Sequence, residues 1–117
     1  MPQTGLHGPH LLNSAAIDAA VKGVGVGAYA LGYMKGQTFE VHYVGRSDTD
    51  LKKRLKDHVL EPYTVFKFGF LPNASAAFVK ECELYHDFGM AALDNDKHPD
   101  APKNSALTCP RCPKKKT

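Results

Sequence analysis

Two apolar runs that follow each other closely in the first half of the chain place the tightest limit on its fold. Residues 24–34 intersperse glycine and alanine with valine and tyrosine, and residues 39–45 form a second run rich in valine and aromatic residues. Such compositions favour β-strands. The glycine-containing link at residues 35–38 is short enough for a turn between antiparallel strands. The sequence therefore predicts a β-hairpin here.

The following segments alternate helix and strand patterns. Leucine or valine recurs every four residues within residues 48–60, which predicts a helix capped by Asp48 or Thr49. Residues 63–71 alternate aromatic with small or charged residues, which predicts a third strand. Caps and stop glycines indicate two more helices, over residues 15–21 and from residue 73 or 75 to about residue 88. The sequence predicts an α/β fold of the α+β type, with a small three-stranded antiparallel sheet flanked by helices.

The chain has 117 residues, enough for one globular domain. We expect residues 1–12 to be poorly ordered, residues 13–104 to form the domain, and residues 105–117 to form a basic, cysteine-containing tail. No apolar run reaches the roughly 18 residues of a membrane span, and the first residues lack the pattern of a signal peptide. Three cysteines are too few, and odd in number, for a disulfide framework. These features favour a cytoplasmic protein with no membrane partner.

Two tripeptides lie on the predicted hairpin, Gly-Ala-Tyr at residues 27–29 and Tyr-Val-Gly at residues 43–45. The next helix carries Arg54 and, four residues later on the same face, His58. This order of motifs resembles the GIY-YIG nuclease superfamily, although alanine stands where isoleucine is commoner in the first motif. The resemblance extends over roughly residues 24–104. It implies a fold that displays the motif residues on one face of a small antiparallel sheet, and metal-dependent hydrolysis of DNA phosphodiester bonds.

The resemblance also implies which residues act on the phosphate and the attacking water. Tyr29 lies beside the water as its general base or orienting group, and Tyr43 supports it through a second hydroxyl group. Arg54 binds the scissile phosphate, because its planar guanidinium suits two phosphate oxygens at once. His58 relays or orients a proton near neutral pH.

The same resemblance implies a single divalent metal ion, Mg²⁺ or Mn²⁺. Glu81 on the last predicted helix matches the metal-binding carboxylate, since Mg²⁺ prefers hard oxygen ligands and keeps most of its waters. Glu83 is the alternative ligand. Asn104 matches an asparagine near the end of the family's domain, whose amide holds the backbone or the phosphate in position. Asn95 is the alternative residue for that role.

Each of these residues also has an ordinary structural interpretation. Strand tyrosines such as Tyr29 and Tyr43 often form cross-strand aromatic pairs, and strand glycines often mark bulges. A helix arginine is often solvated, and a helix carboxylate such as Glu81 often pairs with a neighbouring lysine such as Lys80. The joint order and spacing of the residues favours the functional interpretation.

The cysteines allow a second metal site. Cys109 and Cys112 have the spacing of half a zinc site, and Cys82 and His86 stand four residues apart on the predicted last helix. Together they could hold a structural zinc ion and tie the tail to that helix. The alternative is that Cys82 is a small buried apolar residue and that the tail cysteines are free thiols.

Basic side chains near the motifs and in the following segment are expected to contact the DNA backbone: Arg46, Lys53, Lys56 and Lys103. The net charge of +3 is a weak indication of polyanionic partners. We therefore expect an endonuclease of low sequence specificity, with branched and nicked DNA among its candidate substrates. A protein partner or a homodimer stays open. So do two alternatives of the same fold, a non-catalytic nucleic-acid-binding module and a zinc-stabilised interaction module.

Overall fold

The computed structural model describes residues 5–88 and residue 93. Its elements follow in the order β1 (His7–Leu11), α1 (Ser14–Ala20), β2 (Gly27–Lys35), β3 (Thr38–Ser47), α2 (Leu51–Asp57), β4 (Val65–Phe70) and α3 (Ala74–Asp87). The strands form one antiparallel sheet in the order β1-β4-β2-β3. The predicted α+β class is confirmed. The predicted number of strands is wrong, because the sheet has four strands rather than three.

The additional strand, β1, lies in the segment that the sequence predicted to be poorly ordered. It pairs with β4, with His7 opposite Phe68 and His10 opposite Phe66. The centroids of these ring pairs lie 5.9 and 5.3 Å apart. Most residues of β1 are exposed, so the strand has no alternating apolar face for a periodicity argument to detect. Backbone pairing with β4 and these ring contacts hold it in the sheet.

The predicted hairpin consists of β2 and β3. Lys35 pairs with Thr38, so Gly36 and Gln37 form a two-residue turn between the strands. Gly36 has a φ of +64°, a left-handed conformation that glycine adopts more readily than other residues. The glycine at position 36 therefore favours a turn at this point between β2 and β3.

Each described helix begins at an asparagine or aspartate cap. The side chains of Asn13, Asp50 and Asn73 accept hydrogen bonds from backbone N–H groups three residues further on, at 2.8, 3.1 and 2.9 Å. The cap of α2 is thus Asp50, not Asp48 or Thr49 as predicted, and α2 ends at Asp57. None of the helices in the described part of the chain is long and apolar enough to cross a membrane.

Apolar clusters cover both faces of the sheet. The first contains Ile17 of α1, Leu51 and Leu55 of α2, and Tyr29, Leu31, Phe66 and Phe68 of the sheet. The second contains Ala28, Ala30 and Val44 of the sheet and Leu84 of α3. Because side chains alternate along a strand, Tyr29 faces α1 and α2 whereas Ala28 faces α3. The expected catalytic residues are positioned by this three-layer arrangement.

Candidate active site

Tyr29 lies on the central strand β2, opposite Gly45 on β3 and Phe68 on β4. Its side chain faces α2 and only 1% of it is exposed. A Cβ atom on Gly45 would collide with the hydroxyl oxygen and the ring of Tyr29. Glycine at position 45 therefore makes room for the tyrosine, and the two tripeptides of the hairpin meet directly.

His58 brings an imidazole ring to the Tyr29 hydroxyl group. Tyr29 Oη lies 2.8 Å from His58 Nε2. His58 directly follows α2, whose buried residues Leu51 and Leu55 anchor the helix against the sheet. The N–H of His58 donates to the carbonyl oxygen of Leu55 at 3.0 Å, which extends the last turn of the helix. Two residues of the expected catalytic set are thus joined across 29 positions of the chain.

Tyr43 also contacts the imidazole of His58. The centroid of the His58 ring is 5.3 Å from the Tyr29 ring and 5.3 Å from the Tyr43 ring. Tyr43 is only half-buried, so it is more accessible than Tyr29. The histidine is therefore in contact with the tyrosines of both tripeptides.

Glu61 binds the second ring nitrogen of His58 and was not among the predicted site residues. His58 Nδ1 lies 2.8 Å from Glu61 Oε1. The backbone N–H of Glu61 donates to the carbonyl oxygen of His58 at 3.0 Å, so the turn after α2 places the carboxylate beside the ring. The available sequence signal was the spacing, three residues after His58 and directly before Pro62.

Arg46 holds Glu81 on the opposite side of the sheet. Arg46 Nη1 donates to Glu81 Oε1 at 2.7 Å, and Arg46 Nε donates to Asp48 Oδ1 at 2.8 Å. The guanidinium carbon lies 5.3 Å from the centre of the Phe78 ring. Arg46, expected to contact DNA, is therefore engaged with two carboxylates. Asp48 was predicted as a helix cap, and no sequence signal identified it as a partner of Arg46.

The Tyr29–His58 pair and the Arg46–Glu81 pair lie on different faces of the sheet. The resemblance to the GIY-YIG nucleases implied that these residues share one face. Gly45 and Arg46 are neighbours on β3, so Arg46 faces α3 while Tyr29, across from Gly45, faces α2. Their charges still interact: Glu81 raises the pKa of Tyr29 and Arg54 lowers it. Tyr29, Arg54 and Glu81 are therefore within electrostatic range of one another at this end of the hairpin.

Burial shifts the pKa values of two groups in the site. It raises the pKa of the Tyr29 hydroxyl far above its ordinary value of 10, and the neighbouring Tyr43 adds to this effect. Burial also raises the pKa of the Glu81 carboxyl to about 6, against the lowering effect of the Arg46 guanidinium. Tyr29 is therefore protonated at neutral pH, and Glu81 changes charge just below it.

The basic residues of α2 differ in their partners. Arg54 and Lys53 are exposed, and within the described residues Arg54 forms no ion pair. Lys56 is paired with Asp18 of α1, with 2.7 Å between Nζ and Oδ1. Arg54 and Lys53 are thus both available to an incoming phosphate.

The remaining predicted residues are Lys103, Asn104, Cys109, Cys112 and the alternative Asn95, which all lie outside the described residues. Cys82 is buried in α3, and His86 is half-buried on the same helix. Over residues 5–88 and residue 93, no three histidine, cysteine, aspartate or glutamate side chains converge as a metal-binding group. A Mg²⁺ ion that retains most of its waters does not require such a group.

No family model, characterised protein or solved structure matches the chain. The resemblance to the GIY-YIG nucleases therefore depends on the motifs and their spacing. The functional assignment depends on the chemistry of the residues that the fold brings together.

Proposed function

We propose that the chain is a metal-dependent endonuclease that hydrolyses DNA phosphodiester bonds with an activated water, as its resemblance to GIY-YIG nucleases implies. One observation carries the proposal: the hydrogen bond between Tyr29 Oη and His58 Nε2. It links the tyrosine expected beside the attacking water to the histidine expected to move a proton. Hydrogen-bond contact between two such groups is the first requirement for proton transfer between them.

Tyr29 alone would be a poor base, because burial raises the pKa of its hydroxyl and keeps it protonated. Its oxygen can take a proton from water only as it gives up its own. His58 Nε2, 2.8 Å away, can accept that second proton. In this step the water oxygen bonds to phosphorus while the bond from phosphorus to the leaving oxygen breaks, and that oxygen departs with the electron pair. The water proton passes to Tyr29, and the phenolic proton passes to His58. Tyr29 ends the step neutral and His58 ends it positively charged.

Access to Tyr29 is a condition of this mechanism. Only 1% of the residue is exposed, so substrate binding must open a path to its hydroxyl group. Arg54 is exposed and Tyr43 is half-buried, so these two residues meet DNA first. Arg54 can grip two phosphate oxygens, and its charge already acts on both Tyr29 and Glu81. The charge of a phosphate bound by Arg54 would therefore act on both of these groups.

The carboxylates of Glu81 and Asp48 suit a divalent cation. Both bind the guanidinium of Arg46, so two sets of hard oxygen donors already converge on one positive charge. Glu81 would hold Mg²⁺ or Mn²⁺ with the oxygen that Arg46 does not engage, or in place of Arg46. The ion would neutralise charge on the phosphate and on the leaving oxygen.

A second candidate is a nucleic-acid-binding module without catalysis. The Arg46–Glu81 ion pair favours it, because both charges are satisfied inside the protein and the side chains are only 12% and 11% exposed. In a binding module of this kind, Tyr29 and His58 stabilise the core by packing and hydrogen bonding, and Arg54 and Lys53 contact the DNA. Binding would weaken as salt rises, and no strand would be cut.

Cleavage of labelled DNA decides between the two candidates. The full chain, stripped of metal, is incubated with linear, nicked and branched DNA in the presence of Mg²⁺, Mn²⁺ or EDTA. Three variants accompany it: Tyr29→Phe, Glu81→Ala and Glu83→Ala. Glu83→Ala is the matched control, because it removes a half-buried carboxylate from the same helix.

The nuclease proposal predicts metal-dependent cleavage that Tyr29→Phe and Glu81→Ala each lower by about 10²–10³-fold, the range for one electrostatic group in an active site. Glu83→Ala keeps the wild-type rate. If the protein binds DNA in a salt-sensitive way but cuts none of the DNA substrates with either metal ion, the nuclease proposal is refuted and the binding module is supported. Equal losses in Glu81→Ala and Glu83→Ala would refute the assignment of the metal to Glu81.

A further inference from the structure

The contacts of His58 determine which of its ring nitrogens carries a proton. An ionised glutamate only accepts hydrogen bonds, so the 2.8 Å contact with Glu61 Oε1 requires a hydrogen on Nδ1. When the ring is neutral, Nε2 then has no hydrogen, and its lone pair faces the Tyr29 hydroxyl at 2.8 Å. Tyr29 donates and His58 accepts, which is the arrangement that proton transfer from Tyr29 needs.

We propose that Glu61 is the positioning residue of this site: it fixes the Nδ1–H form of His58, aims Nε2 at Tyr29 and stabilises the imidazolium formed when the phenolic proton arrives. Its catalytic part rests on the proposed nuclease function. Glu61 itself touches neither the expected phosphate nor the attacking water, and acts through His58.

The surroundings of His58 favour a defined orientation over a loose surface ion pair. The His58 side chain is only 10% exposed, although that of Glu61 is 44% exposed. The centroids of the Tyr29 and Tyr43 rings each lie 5.3 Å from the centroid of the imidazole, and these contacts restrict its rotation. The backbone bond from Glu61 N–H to the His58 carbonyl oxygen keeps the carboxylate within reach.

Nitrogen NMR of the full chain tests the orientation without any DNA. Long-range proton–nitrogen spectra at about pH 8, above the ordinary histidine pKa near 6.5, show which nitrogen of each neutral ring is protonated. The protein has six histidines, so a His58→Gln variant assigns the signals of His58. The test variants are Glu61→Ala and Glu61→Gln, and Asp57→Asn is the control, because it removes an exposed carboxylate next to His58 in sequence.

The proposal predicts a protonated Nδ1 and an unprotonated Nε2 in the wild type. Glu61→Gln keeps this pattern, because the amide oxygen can still accept from Nδ1, and Asp57→Asn keeps it as well. Glu61→Ala shifts both nitrogen signals towards a mixture of the two neutral forms. A wild type protonated on Nε2, or a Glu61→Ala spectrum identical to the wild type, would overturn the proposal.

Steady-state cleavage tests the catalytic part. Glu61→Ala is expected to lower kcat by about tenfold to 100-fold, the range for a group that orients an acting side chain, with KM unchanged. The kcat of Glu61→Gln is expected to lie between those of Glu61→Ala and the wild type, since glutamine keeps the hydrogen-bond acceptor but loses the charge. An unchanged kcat in Glu61→Ala would overturn this part. If the wild type cuts no DNA, the proposed function fails, and the nitrogen signals alone decide whether Glu61 orients His58.

Discussion

The hydroxyl oxygen of Tyr29 lies too close to residue 45 for a Cβ atom there, and Gly45 leaves this space open. The two are paired across β2 and β3, so the glycine of one tripeptide and the tyrosine of the other form a single packing unit. The same hydroxyl group is bonded to His58 at 2.8 Å. A methyl group at position 45 would therefore disturb the strand pair and the proposed proton path together.

Gly45→Ala is expected to destabilise the fold by about 1–3 kcal/mol, the usual cost of an extra methyl group in a packed interior. The nearest atoms belong to the ring of Tyr29, a residue that is only 1% exposed, so the ring must move and its bond to His58 lengthens or breaks. Urea unfolding measures the stability. Gly69→Ala is the control, because a Cβ there meets a flexible methyl group of Leu6 at 3.2 Å. Equal stability of the two variants would contradict the packing argument.

Arg46→Met is expected to destabilise the protein by about 3 kcal/mol near pH 7, because it leaves the buried Glu81 carboxylate without its guanidinium partner. The loss should be smaller near pH 5, where a carboxyl with a pKa raised to about 6 or higher takes up a proton. Urea unfolding at both pH values measures the change.

The double variant Arg46→Met with Glu81→Gln is the control for that experiment. It removes both charges, so it should be more stable than Arg46→Met alone near pH 7 and should lose the pH dependence. A double variant as unstable as Arg46→Met would show that packing on Phe78, rather than the ion pair, is the main contribution of the arginine side chain.

Metal binding should weaken as the pH falls through about 6. The folded pKa of Glu81 lies above its ordinary value of 4.5, so between these values the folded protein binds a proton that the unfolded chain releases. This proton stabilises the free protein at low pH and competes with a cation for the carboxylate. Mn²⁺ titration followed by electron paramagnetic resonance, from about pH 5 to pH 8, measures the affinity. Glu81→Gln should bind weakly at every pH, and an affinity independent of pH in the wild type would exclude Glu81 as the ligand.

The fold could be predicted where local chemistry decides it. The composition of β2 and β3, the spacing of Leu51 and Leu55 in α2, and the Asn73 cap of α3 each indicate their element from neighbouring residues alone. β1 could not be predicted in this way. Its residues are mostly exposed, and they form a strand because β4 offers them an edge to pair with. The strand that provides this edge lies more than fifty residues away in the sequence.

The site could be predicted only in part for a related reason. Spacing on a helix suggested that Arg54 and His58 act together, and the resemblance suggested Tyr29 as their partner. The contacts of Arg46 with Glu81 and of His58 with Glu61 depend on side-chain orientations across a sheet and around a turn. Neither contact has a sequence pattern specific enough to distinguish it from an ordinary surface pair.

Arg54 is expected to contribute to DNA binding and to catalysis in separable ways. It is exposed and forms no ion pair within the described residues, so its charge is available to a phosphate. Arg54→Ala should weaken binding and reduce the slope of log affinity against log salt by about one. Arg54→Lys should keep that slope, since the charge remains, yet lower kcat because a lysine lacks the planar two-pronged donor.

Lys53→Ala, which removes an exposed cation from the neighbouring position, should reduce the salt slope but leave kcat unchanged. Fluorescence anisotropy over a range of salt concentrations and single-turnover cleavage measure the two effects. If Arg54→Lys retained full kcat, the arginine would act as a point charge, and bidentate binding of the scissile phosphate would be excluded.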